Sequence, residues 1–146
     1  MTIPSFRTTP ATTAAEAEIA KVLEMAWGVT AHRYATFDSI DWWIERDRRC
    51  VAVAEMKDRS HVFGKYPTTY LSFRKWLALV LASLTGPVPL FVVRFKDGIY
   101  WVDANRVDPR GALIVGGRTD RVGNPNDIEP LIEVPNDIMQ KAMVEV

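Results

Sequence analysis

Asp41, Glu55 and Lys57 are the side chains of this 146-residue chain whose types and spacing suit chemistry: an acid, a second acid fourteen residues later, one spacer and a base. The run CVAVAEMK at 50–57 alternates as a strand does and ends in charge. Side chains alternate across a strand, so Val51, Val53, Glu55 and Lys57 share one face. The acid and the base therefore stand where an apolar face meets solvent. Two carboxylates a short distance apart repel each other unless a hard cation lies between them, and Mg²⁺ takes oxygens from one or two carboxylates, a substrate phosphate and water. A lysine beside that ion orients the attacking water and offsets charge growing on the phosphate. This is a recipe for metal-assisted phosphodiester hydrolysis.

Positioning these groups requires a helix and a strand meander. Over 14–27 the apolar residues Ile19, Val22, Leu23, Ala26 and Trp27 recur at helical spacing, and Gly28 ends the pattern. Thr13 with Glu16 three residues on matches a capping box and predicts the helix start. At 100° per residue Glu16 projects within about 50° of the centre of the apolar stripe, whereas Glu18 and Glu24 point more than about 100° away. Residues 31–37, 40–46 and 50–57 are β-branched or aromatic runs, separated by Asp38-Ser39 and Asp47-Arg48-Arg49. A meander of three strands brings Asp41, in the second, beside Glu55, in the third. Asp38 is the rival acid, but a turn-forming Asp-Ser pair explains it.

A polar loop is expected at 58–69, then a helix over 70–84 with the stripe Phe73, Trp76, Leu77, Val80, Leu81 and Leu84, stopped by Gly86-Pro87. Lys96-Asp97-Gly98 between PLFVVRF and IYWVDA predicts a hairpin. After Asn105 the text is turn-rich, with an apolar run at 112–115 and a short final helix expected from Asn136, capped by that residue. Gly116-Gly117-Arg118 lacks the spacing of a phosphate loop and reads as a turn.

The length fits one domain, and 48% apolar with 25% charged residues is a globular composition. The single cysteine, Cys50, makes no internal disulfide, and the N-terminal residues lack a secretory pattern, so a cytoplasmic protein is expected. The most apolar stretch, WLALVLASL, is nine residues, about half of what a bilayer requires; no membrane partner is expected. Formal net charge is zero, yet 33–96 carries eleven Lys/Arg against six Asp/Glu and 97–146 five against nine. A basic middle suits a polyanion, while the zero total argues against indiscriminate nucleic-acid binding. His32 and His61 are too isolated for a zinc site, and no nucleophile has a recognisable base partner. Structural readings stand beside the chemical ones: Glu16 as the partner of Thr13, Glu55 and Lys57 as a solvated pair, and one of Trp42 and Trp43 as core.

Asp41, then AEMK at the end of an apolar strand, preceded by a helix bearing Glu16, resembles the PD-(D/E)XK nuclease superfamily of restriction endonucleases and archaeal-type Holliday junction resolvases. The resemblance spans roughly 13–104, and one departure is that Ile40 precedes Asp41 where the family pattern has proline. It implies an α/β restriction-endonuclease-like core, a mixed central sheet of about five strands flanked by helices, in the order α-β-β-β-α-β-β. Residues 1–12 would be an arm, 13–104 the nuclease-like core and 105–146 an extension packed on the same domain. By resemblance, Asp41, Glu55 and the backbone carbonyl of Met56 would hold Mg²⁺, with Mn²⁺ as a substitute. Glu16 would complete the acidic cluster, directly or through water, and Lys57 would lie near the hydrolytic water. Lys65, Tyr66, Tyr70 and Lys75, around the start of the second helix, are the candidate phosphate or DNA contacts. The implied function is hydrolysis of DNA, favoured over RNA, in branched, flapped or single-stranded form, because the chain has no room for a separate specificity domain. A homodimer is expected, since cutting two strands takes two sites. The alternative is a catalytically silent module of the same fold that binds nucleic acid or protein.

Overall fold

The structure is a computed structural model that describes residues 10–34, 40–115 and 129–142. In chain order its elements are α1 (Pro10–Trp27), β1 (Thr30–Arg33), β2 (Trp42–Arg46), β3 (Arg49–Asp58), β4 (Thr68–Ser72), α2 (Phe73–Ser83), β5 (Val88–Phe95), β6 (Gly98–Asp103), β7 (Leu113–Val115), β8 (Glu129–Pro135) and β9 (Gln140–Lys141). Short 3-10 turns lie at Ala104–Arg106 and Asn136–Ile138.

The alternating run at 50–57 becomes the body of β3, which pairs antiparallel with β2 and parallel with β5. The β2–β3 hairpin turns at Asp47 and Arg48, both at positive φ (52° and 64°), the left-handed pair that matches the twist of flanking strands. The Asp-Gly signal yields the antiparallel β5–β6 pair. The main sheet runs β1-β2-β3-β5-β6-β9, and a second, three-stranded sheet runs β4-β8-β7.

Both faces of the central strands are covered, which explains their near-continuous apolar text. On one face Ile19, Ala20 and Leu23 of α1 pack with Trp42, Ile44, Ala54, Met56, Leu90 and Val92. On the other, Leu79 of α2 meets Val53 and Ala104, and beyond it Leu71, Ile132 and Val134 of the second sheet meet Phe91, Val93, Phe95 and Val102. Each fully buried Val, Leu, Ile, Met or Phe among them contributes about 1.5–3 kcal/mol of transfer free energy. The even residues of β3 thus face α1, and Val53 and Glu55 face the side of α2.

Four expectations are corrected. Helix α1 begins at Pro10, so Thr13 lies inside it and is not its cap; a proline in the first turn loses no hydrogen bond there. Thr68–Ser72 is a strand, drawn into register with 131–135 of β8, and the second helix starts only at Phe73. That helix turns Leu79 inward and leaves Leu77, Leu81 and Leu84 exposed. From Asn136 a single 3-10 turn forms where a helix was expected, and Asn136 spends its side chain bridging Thr69 and the Tyr66 carbonyl. The expected mixed sheet of about five strands is present, with six. Of the expected arm at 1–12, residues 10–12 belong to α1, while 1–9 lie outside the described residues, as do the tail of the first expected strand with Asp38-Ser39 and Gly116-Gly117-Arg118. Among the described residues no helix is long and apolar enough to cross a membrane.

Candidate active site

Strand register delivers the two acids to one place. Trp42 is paired with Ala54, and one step further along this antiparallel ladder Asp41 stands beside Glu55. The Tyr34 N–H donates to the Asp41 carbonyl at 2.8 Å, tying the acid's backbone to the end of β1. Glu55 is only 1% exposed, next to the fully buried Phe91 of β5. Neither of its carboxylate oxygens has a hydrogen-bond partner among the described residues. Lys57 Nζ stands 3.2 Å from Glu55 Oε1, an ion-pair distance without the alignment of a hydrogen bond. Lys75, in the first turn of α2, donates to Asp41 Oδ1 at 3.1 Å and lies 3.6 Å from Glu55 Oε2. Two acids and two lysines therefore meet at the rim between β2, β3 and α2.

The electrostatics follow from burial. Desolvation pushes Glu55 up to about 8, reinforced by the neighbouring Asp41 carboxylate, against the pull of Lys57 and Lys75. For Asp41 burial also acts upward, but the adjoining Glu55 carboxyl and the Lys75 ammonium outweigh it and hold the group below its ordinary range. The two environments pull the pair apart: Glu55 holds a proton the more tightly, and Asp41 gives its own up the more readily. A charge unevenly shared by two oxygen-only groups, one with both oxygens lacking a donor, fits a small hard cation better than a thiophilic one.

Glu16 sits on the α1 side of the sheet. Trp42 Nε1 donates to its Oε1 at 3.1 Å, and Arg33 Nη1 is 3.7 Å from its Oε2. Burial raises Glu16, Trp42 opposes that, and the charges of Asp41 and Lys57 reach it. It is a neighbour of the pair with its oxygens already engaged. Among the described residues no three His, Cys, Asp or Glu groups form a ready-made metal set. Met56, between Glu55 and Lys57, buries its side chain against α1, which leaves its backbone as the part on offer to the site.

Lys65 and Tyr66 lie on the loop between β3 and β4, with Lys65 Nζ 5.5 Å from the centre of the Tyr66 ring. Tyr70 is exposed on β4, opposite Glu133. Among the described residues no hydrogen bond or ion pair joins these three to the acids; only Lys75 of the four reaches them. Sequence reasoning missed the Trp42 bond to Glu16. Its signal was a buried indole, whose N–H requires an acceptor. His32 stacks on Trp43 at 4.0 Å and meets Glu45 at 3.0 Å, a local arrangement on the other side of β2.

Residues 3–142 match the family described as "Phage putative PDDEXK endonuclease". The chain belongs to that family. The PD-(D/E)XK resemblance read from Asp41, Glu55 and Lys57 is thereby borne out, and this phage PDDEXK endonuclease family places the chain among nucleases. Among solved structures, a Holliday junction resolvase, Hjc from Archaeoglobus fulgidus, matches with a TM-score of 0.59 and 17% identity, over 88% of this chain and 89% of that one. That likeness bears out the restriction-endonuclease-like α/β core. No curated protein matches.

Proposed function

We propose that this phage PDDEXK endonuclease is a Mg²⁺-dependent deoxyribonuclease, accepting Mn²⁺ as a substitute, that selects branched, flapped or single-stranded DNA by shape. The observation that carries the reading is the Asp41–Glu55 pair, its Glu55 buried, with Lys57 beside it. Asp41 and Glu55 would hold the cation, with the Met56 carbonyl as a further oxygen and Glu16 as an outer partner through water. The cation, when bound, supplies Lewis-acid stabilisation of the phosphate and acidifies its water. Lys57, with a side chain 44% exposed, can turn its ammonium between Glu55 and solvent. It orients the attacking water and offsets the negative charge that develops on the phosphorane oxygens. Glu55, once stripped of its proton, keeps that ammonium in place. Lys65, Tyr66 and Tyr70 form an exposed basic and aromatic stretch for the DNA flanking the cut. The likeness to a resolvase supports a branched substrate, and a homodimer would supply one site per strand.

The test is incubation of the protein with labelled junction, flap, single-stranded and duplex DNA, with Mg²⁺, with Mn²⁺ and with chelator, beside Lys57→Ala. Cleavage of the non-duplex forms that requires both the ion and Lys57 supports the reading. Retention of DNA without cutting under every condition would instead establish the silent binding module.

A further inference from the structure

Lys57 and Lys75 do different things to the acid pair. Lys57 touches one carboxylate from the solvent side, and its side chain is 44% exposed. Lys75 comes from another element, α2, has a side chain only 19% exposed, and reaches an oxygen of each acid: 3.1 Å to Asp41 Oδ1 and 3.6 Å to Glu55 Oε2. Among the described residues it is the one cation that spans both carboxylates. A group that touches an oxygen of each of two neighbouring acids occupies the place a bridging ion takes. The two occupants compete. A divalent ion bridging the acids would draw on the same Asp41 Oδ1 and Glu55 Oε2 that the ammonium now faces, and two positive charges held in that one cleft repel.

The alternative role for such a lysine is to hold the acids in place for the ion. The geometry speaks against it. Asp41 is already fixed by strand register and by the Tyr34 N–H on its carbonyl, and Glu55 by β3, which is paired on both sides. The acids need no tether, but without a cation their shared charge does need neutralising, because a buried, unpaired carboxylate is costly.

We infer that Lys75 is the resident counter-ion of the Asp41–Glu55 pair and competes with the divalent cation for it, so that cation entry requires Lys75 to withdraw. This rests on the metal-site reading above and adds to it a built-in brake on cation loading. The released ammonium, on the first turn of α2 beside the site, would then seek another anion, and a DNA phosphate is the one the reading provides.

The test is direct binding of Mn²⁺, followed by electron paramagnetic resonance of the free ion at fixed neutral pH with no DNA present, for the wild-type protein and for Lys75→Met, Lys75→Gln, Lys75→Arg and Glu55→Gln. Circular dichroism checks that each variant is folded, and Lys75→Gln substitutes if Lys75→Met is not. Removing the competing charge should tighten Mn²⁺ binding by about tenfold, within the usual span of coupled binding equilibria. Lys75→Arg, which keeps the charge, should not tighten it. Unchanged or weaker binding in the neutral variants would overturn the inference and make Lys75 an organiser of the acids. The reading beneath it fails in a different way: neither the wild type nor a neutral Lys75 variant binds Mn²⁺, or Glu55→Gln binds it as the wild type does.

Discussion

Replacing Glu55 by glutamine should make the protein more stable at neutral pH, and by an amount that depends on pH. Glu55 is pushed up to about 8 in the folded chain from an ordinary 4.5, because burial and Asp41 disfavour its charge. The folded state therefore holds this proton more tightly than the unfolded chain. The contribution is fully present below the unfolded value and is lost as pH rises through about 8. In the interval the loss is about 1.4 kcal/mol per pH unit, so about 3 kcal/mol disappears between roughly pH 5 and pH 7. Asp41, held below its ordinary 3.8, loses its contribution only as pH falls beneath that value, outside this window. Glu16, raised like Glu55, titrates in both proteins and cancels in the comparison. Glutamine mimics the protonated carboxyl in shape, but it does not titrate. Urea unfolding in chelator at the two pH values, wild type beside Glu55→Gln, reads the effect. With a slope of about 2 kcal/mol per molar urea, the wild-type midpoint should fall by about 1.5 M more than that of the variant. Excess Mg²⁺ should return the wild type towards its stability at the lower pH and leave the variant unmoved. Equal pH dependence in the two proteins would refute the reasoning, because it would mean that Glu55 does not change its proton affinity on folding.

Other outcomes follow from the same structure. Leu79→Ala should cost about 2–5 kcal/mol in urea unfolding, since Leu79 is buried, while Leu81→Ala, at 55% exposure, should cost less than about 0.5 kcal/mol. Trp42→Phe keeps the ring in the core but leaves Glu16 without its indole donor, and should cost about 1–3 kcal/mol by thermal or urea unfolding. Lys57→Met should lower the rate of metal-dependent DNA cleavage by about 10²–10⁴-fold with little change in DNA retention on gels. Arg94→Met removes the contacts to Glu18 and Asp58, which are solvent-exposed, so it should change stability by less than about 1 kcal/mol, and half a molar salt should erase the difference.

What the sequence disclosed and what it hid divide along physical lines. Val51 to Lys57, the Asp-Gly hairpin and the stripe Ile19, Leu23 are local signals of period, turn and burial, and each reappears in the structure as a strand, a turn or a core face. The juxtaposition of Asp41 and Glu55 followed from a short meander, where register hardly has freedom to err. Strand β4 was illegible because Thr68–Ser72 runs without a break into the helical text beginning at Phe73, and its partner, β8, is some sixty residues away. Long-range pairing of that kind leaves no periodic trace. The inner face of α2 was misjudged for a related reason: Phe73, Trp76, Leu77, Leu79, Val80, Leu81 and Leu84 offer apolar residues almost all round, so the sequence permits two stripes and tertiary packing selects the one through Leu79. The start of α1 was misplaced because two start signals compete, and Pro10 outranks the Thr13–Glu16 pair. The reach of Lys75 to both acids depends on how α2 lies over β3, which no spacing encodes.

Being flanked by partners on both sides, β3 should be among the last of the described strands to exchange its amide protons. Glu55 therefore rides on backbone held from both sides, whereas both ammonium groups hang from long, flexible stems. The carboxylate beneath them is a stationary anvil.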